Sequence, residues 1–277
     1  MGEVDRSEVE LVLLGIHLFD EFRKSLDVPE RPVPLVIHMD SDLDRIVLHN
    51  QRRYGWPIDT MRKYWEDRWI ANDKNEFMIH ALEPGEQPGS RSSERGIGSI
   101  AHDLVHAALQ HGLLGISTDP KAFERYKGID EPRWLSEGMA TLMHTMIVAE
   151  ERGITYSDAR IHWVSFTKDA DIPLRDAEIH PANQPSGVIL RYDRRQIIDC
   201  TYRCGALAAE LLASHVGLSK LSNYWMELET RMVPLRVQGD RGWTEAFERA
   251  YGMTVEEFYE LFEEHRAAGF PEMDIGQ

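Results

Sequence analysis

The chain has 277 residues, 42% hydrophobic, 28% charged and 9% aromatic, which excludes disordered, collagen-like and low-complexity classes and leaves one large globular domain or two small ones. Lys and Arg number 31 against 47 Asp and Glu, so the formal net charge is −16, with no basic run to offset it. That balance argues against non-specific binding to nucleic acid or to an anionic membrane, since either surface would repel the chain.

Met1 to Arg6 has no basic leader pattern, and the apolar residues from Val9 to Phe22 are interrupted by Glu10, His17, Asp20 and Glu21. Neither a secretory signal nor a membrane span is expected there. From Ser7 to Leu26 the apolar residues Val9, Val12, Leu13, Ile16, Phe19, Phe22 and Leu26 recur at helical spacing, with Ser7 as the expected cap. Asp27 to Pro34 breaks that pattern, and Leu35 to Met39, short and apolar, reads as a strand. A helix is expected from about Asp42 to Tyr54, and Trp69 to Leu82 reads as a pair of strands turning at Asn72-Asp73-Lys74-Asn75.

Glu83 to Gly98, with its Pro84-Gly85 and Pro88-Gly89 breaks, reads as a polar loop. Beyond it the chain turns helical. Helices are expected over Ile97–Leu114, Trp134–Arg152, Ile197–Val216, Lys220–Met232, Thr244–Tyr251 and Thr254–Ala268, with Gly112, Gly153, Gly217, Gly252 and Gly269 as stops. Gly269 to Gln277 reads as a loose tail. Strands early and helices late make the class α+β. Cys200 and Cys204, four apart on one helix, read as buried small side chains; two cysteines exclude a disulfide framework and point to a reduced, cytoplasmic protein.

The chemistry centres on two segments. In His102-Asp103-Leu104-Val105-His106 the histidines stand four apart on an apolar helix, about 400° of rotation, so both imidazoles leave one face and can grip one ion. The same spacing also occurs in helices whose histidines merely pack or face water. In Trp134-Leu135-Ser136-Glu137-Gly138-Met139-Ala140, Glu137 is an acid within an otherwise apolar helix. A buried unpaired carboxylate is costly, whereas metal ligation compensates it, and two imidazoles with one carboxylate form a typical catalytic zinc set.

These two segments resemble the gluzincin peptidases, the peptidase-MA-like group related to thermolysin and the zinc aminopeptidases, in which an H-E-x-x-H helix gives two ligands and a W-x-x-E-G-x-A helix the third. The resemblance extends through Tyr202 to Leu212 and Trp243 to Phe258, covering roughly Pro34 to His265. It implies a zincin-like fold with a small, mostly antiparallel N-terminal sheet and a helical C-terminal half. It implies one zinc ion on His102, His106 and Glu137, with Asp103 as the base that takes a proton from the metal-bound water. Tyr202 is the implied oxyanion-stabilising hydroxyl, with Tyr192 nearby, and the strand Glu76 to Leu82 matches the edge along which these peptidases hold an extended substrate.

Asp103 departs from the family's glutamate, which withdraws the carboxylate by about 1.5 Å, one C–C bond. Three outcomes are open: a helix shift or second water restores peptide hydrolysis, the site runs another small-molecule reaction, or metal binds without turnover. The expected organisation is an N-terminal α/β subdomain over 1–114 carrying the metal helix, a helical subdomain over 115–268 carrying the third ligand, and a tail over 269–277. The expected function is zinc-dependent hydrolysis of a peptide or amide-containing small molecule, with a repurposed metalloenzyme or a non-catalytic metal-binding domain as the alternative.

Other candidates are weaker. Gly96-Ile97-Gly98-Ser99-Ile100-Ala101 matches G-x-G-x-x-A but follows a polar run instead of an apolar strand, so no dinucleotide site is expected. No G-x-S-x-G elbow or Walker loop is present. His144 and Thr141 share the face of Glu137; packing accounts for either, with an outer-sphere contact as the alternative. His111 lies five beyond His106, off the ligand face.

Overall fold

Polar residues that interrupt the apolar periodicity become helix caps. The structure, a computed structural model, describes residues 4–26, 36–55, 57–66, 68–73, 76–85, 96–107, 132–179, 191–231 and 242–275. Its helices are α1 (Arg6–Ser25), α2 (Leu43–Tyr54), α3 (Ile58–Glu66), α4 (Ile97–Val105), α5 (Arg133–Arg152), α6 (Tyr156–Ala170), α7 (Arg194–Val216), α8 (Asn223–Arg231), α9 (Gly242–Tyr251) and α10 (Val255–Ala267). Strands β1 (Val36–Asp40), β2 (Ile70–Asp73) and β3 (Glu76–His80) complete the set. Asp5, not Ser7, caps α1, its carboxylate accepting from the Ser7 amide at 2.8 Å. Asp42 caps α2, while Asp193 with Gln196 and Thr254 with Glu257 form reciprocal capping boxes on α7 and α10. Gly153 ends α5 at a φ of 65°, a left-handed conformation that favours glycine.

The chain is helix-rich with a small sheet of order β1-β3-β2. The sheet is mixed, not mostly antiparallel: β2 and β3 pair antiparallel, whereas β1 runs parallel to β3 with Val36 opposite Glu76 and Asp40 opposite His80. The physical reason lies in the connections. A short turn permits only the antiparallel pair, while β1 reaches β3 through α2 and α3, a crossover long enough for a parallel one. β3 therefore sits at the centre with both backbone edges hydrogen-bonded, so the Glu76 to Leu82 segment is not the substrate-binding edge that the resemblance implied.

Sequence periodicity misses α3 and α6. The face that α6 buries carries Arg160, Trp163 and Thr167, so it shows no apolar stripe although it packs inward. The expected extension of α4 to Leu114, its Gly112 stop, the Asp27 to Pro34 break, Leu35 at the start of the expected strand and His111 all lie outside the described residues.

The core centres on α5 and α7. Both helices are buried along most of their length, and they touch through backbone at Gly138 and Gly205. A Cβ on Gly138 would collide with the Gly205 main chain, and one on Gly205 would collide with the Trp134 carbonyl. At the start of α5 the Arg133 amide donates to the Glu178 carbonyl at 2.7 Å. Trp134 Nε1 donates to Tyr259 Oη at 3.1 Å, and Tyr259 in turn donates to Glu178 at 2.6 Å. Trp134 stacks on Phe258 with ring centroids 5.4 Å apart, so α10 and the Leu174–Ala177 turn together hold the helix that carries Glu137.

The segment read as a loose tail is packed. Phe270 and Ile275 belong to the core cluster, the Met273 amide donates to Glu210, and Arg160 donates to the Phe270 carbonyl. Arg160 also pairs with Glu210 at 2.9 Å inside the protein, where Tyr156 Oη donates to the same carboxylate. Cys200 and Cys204, read as separate buried thiols, are joined as a disulfide within α7. Four-residue spacing places both sulfurs on one helix face, so the bond ties adjacent turns and no distant segments. The cysteine count therefore no longer argues for a reducing compartment. No helix among the described residues is long and apolar enough to cross a membrane.

Gly138→Ala is expected to lower the free energy of unfolding by about 3 kcal/mol or more, because neither backbone can yield; denaturant titration measures it. Glu210→Ala, which strands Arg160 in the interior, should cost about 3–5 kcal/mol in the same assay.

Candidate metal centre

α4 starts behind Gly96 with no side-chain cap and carries His102 and Asp103 toward its end. The chain passes into a π-helical turn at His106 and Ala107, yet His106 keeps right-handed helical angles of φ −56° and ψ −52°, so the two imidazoles stay on one face. Their ring centroids are 4.7 Å apart. α5 packs across that face and delivers Glu137 from the turn next to Gly138.

Three donor atoms converge. His102 Nε2 lies 3.1 Å from Glu137 Oε2, His106 Nε2 lies 3.2 Å from it, and the two Nε2 atoms are 3.1 Å apart. Donors held at about 2.1 Å in a tetrahedral arrangement stand roughly 3.4 Å apart, close to the sides of this triangle. Protons cannot satisfy it. Each neutral imidazole brings at most one proton to its Nε2 and an ionised carboxylate brings none, so at least one side of the triangle is left without a hydrogen bond and joins two lone pairs or two N–H groups. A cation facing three lone pairs satisfies them together, and the residues fit a metal ion: His106 and Glu137 are buried and His102 nearly so.

The electrostatics agree. Burial pushes the Glu137 carboxyl up, but the His106 and His102 imidazoles and the Arg133 guanidinium overcome it and hold the group well below the usual carboxylate range. Arg133, one turn before Glu137, pairs with Oε1, which leaves Oε2 for the histidines. An i, i+4 Arg–Glu pattern was visible in the sequence, but nothing there showed that it would divide the two oxygens of one carboxylate.

His144, read from the sequence as packing first and as an outer-sphere contact in the alternative, lies behind His102 with the two Nδ1 atoms 3.1 Å apart. The same His144 Nδ1 is 3.1 Å from the Ala140 carbonyl. It can donate to Ala140 or accept from His102, not both, so the two tautomers are linked. Ligation through His102 Nε2 requires the proton on His102 Nδ1, donated to His144. Burial lowers the His144 pKa to about 3, with the neighbouring His102 adding to the effect, so the ring stays neutral and able to accept.

A cavity of 760 Å³ opens beside the cluster. His102, Asp103, Thr141, His144 and Tyr202 line it, so Asp103 borders the same space as His102. The Tyr202 ring lies 5.9 Å from that of His102. Desolvation and then the Glu137 carboxylate push its phenol up to about 12, although 37% of the residue remains solvent-accessible. Tyr192 is elsewhere, donating to the Asp171 carbonyl at 3.1 Å. Thr141 lines the cavity, but its Oγ1 is buried away from solvent and has no hydrogen-bond partner among the described residues.

No family model, curated protein or solved structure matches this chain. The site is read from its own geometry.

In metal-free protein His144 gives a signed pH dependence. The folded ring protonates only near pH 3 and the unfolded one near 6.5, so the unfolded state binds the proton first and stability falls as pH drops from 6.5. Between pH 7 and pH 4 wild type is expected to lose on the order of 2 kcal/mol more than His144→Leu, read from urea titrations at each pH.

Proposed function

We propose that this chain is a zinc-dependent hydrolase of peptide or amide bonds with a gluzincin-type site. One observation carries the reading: His102, His106 and Glu137 converge to within 3.2 Å of one another beside a cavity that also takes in Asp103 and Tyr202. The three converging residues would hold the ion, and two imidazoles with one carboxylate suit zinc. A divalent cation bound there supplies Lewis acidity, which acidifies water and polarises a carbonyl.

The chain's own groups divide the remaining work. Asp103 takes the proton of the attacking water, across a gap widened by its missing methylene and spanned by a helix adjustment or a second water. Tyr202, held protonated, donates a hydrogen bond to the oxygen that gains charge as the carbonyl is attacked. His144 keeps His102 in its ligating tautomer, and Arg133 keeps one Glu137 oxygen away from it. The short reach of Asp103 favours a second reading, a metal-binding domain or a metalloenzyme for a different small-molecule reaction.

Elemental analysis of purified protein is expected to find about one zinc per chain, lost in the His102→Ala, His106→Ala double variant and in Glu137→Ala. Asp103→Glu is expected to raise hydrolysis of a fluorogenic peptide set about tenfold or more. Zinc binding with an Asp103→Glu variant no more active than wild type would favour the second reading, and absence of zinc uptake would remove both.

A further inference from the structure

We infer that the cavity beside the candidate metal ligands takes a small, carboxylate-bearing substrate whose anionic group is gripped by Arg68, Arg152 and Arg203. These three arginines come from the approach to β2, the end of α5 and the middle of α7, and all line the one cavity. The protein carries 47 carboxylate side chains against 31 basic ones, and Arg133, Arg160, Arg175 and Arg249 each sit on a carboxylate. Among the described residues Arg68, Arg152 and Arg203 form no such pair. An excess of acids leaves few reasons for cations to gather unpaired at one opening, and an anionic ligand is one of them.

Their mounting suits the task. Arg68 lies over the Tyr64 ring at 4.3 Å and Arg203 over Phe166 at 4.8 Å. Face-on packing restrains a guanidinium while its in-plane N–H groups stay open, the arrangement that meets a carboxylate bidentately. The acids on the wall are Asp103, beside the ligands, and Asp158, which accepts from Thr155 Oγ1 at 2.6 Å in the cap of α6.

A second observation comes from the start of α4. Gly96 and Gly98, at the uncapped start of α4, bring a helix N-terminus to the same space, again suited to an acceptor. At 760 Å³ the space matches a small molecule or short peptide, not a folded protein. The inference rests on the proposed hydrolase for the bond that is cut, but not for the charge that is bound.

Succinate, succinamide and inorganic phosphate are the probes, titrated calorimetrically into zinc-free full-length protein so that no carboxylate can bind through a metal. Succinate is expected to bind at least tenfold more tightly than succinamide, to weaken as salt is raised and to bind more tightly than phosphate. An Arg68→Gln, Arg203→Gln double variant should lose at least tenfold in succinate affinity, with unchanged circular dichroism. The same selectivity in His106→Ala would show that the anion site stands even if the metal reading fails. Equal binding of acid and amide, indifference to the arginine substitutions, preference for phosphate, or no succinate binding would each overturn the inference.

Discussion

Two helices in this protein meet without side chains between them. At Gly138 on α5 and Gly205 on α7 the backbones are in contact, and no other residue fits at either position. Close approach of this kind fixes more than an interhelical distance. Glu137 precedes the contact by one residue, so the position of its carboxylate is set by the same crossing, while Tyr202 lies three residues and Arg203 two residues before Gly205 on the partner helix. The buried carboxylate and the phenol near it are thus placed by one rigid junction, as a preorganised site requires.

Around that junction the charges are sorted by oxygen and by nitrogen. Glu137 gives one oxygen to Arg133 and the other to the imidazoles, and His102 turns one nitrogen to the cluster and the other to His144. A carboxylate this deeply buried is tolerable only with such company, since desolvation alone would neutralise it. The arrangement gives the site a fixed polarity: donor atoms of His102, His106 and Glu137 converge on one point, while Arg68, Arg203 and Tyr202 line the cavity beside it.

How much of this was legible in the sequence depends on the kind of signal. Helical register put His102 and His106 on one face and an acid in an apolar run singled out Glu137, while the resemblance to the gluzincins was what joined the two segments. Most helices were legible from the same periodicity, with their described boundaries to within three residues. α6 was not, because its inward face is built from Arg160, Trp163 and Thr167, polar atoms whose burial makes sense only once Glu210 and Cys204 are known to lie opposite. The centre of the sheet was hidden likewise, since pairing partners separated by two helices leave no mark on either strand. Arg68 and Arg203 read as ordinary surface charge until the fold brings them to one opening.

The buried residues also bear on how the chain comes together in time. Val12 in α1 and Phe270 and Ile275 beyond α10 belong to a single core cluster, and the Arg160–Glu210 pair is joined by main-chain groups at Phe270 and Met273. Contacts between segments so far apart in sequence form late, since a long loop must close before they contribute. During synthesis α5 and α7 would emerge with their apolar faces and a buried ion pair still open. Closure of the core around Arg160 and Glu210, and with it the seating of α6 on α7, waits until the segment from Phe270 to Ile275 has left the ribosome.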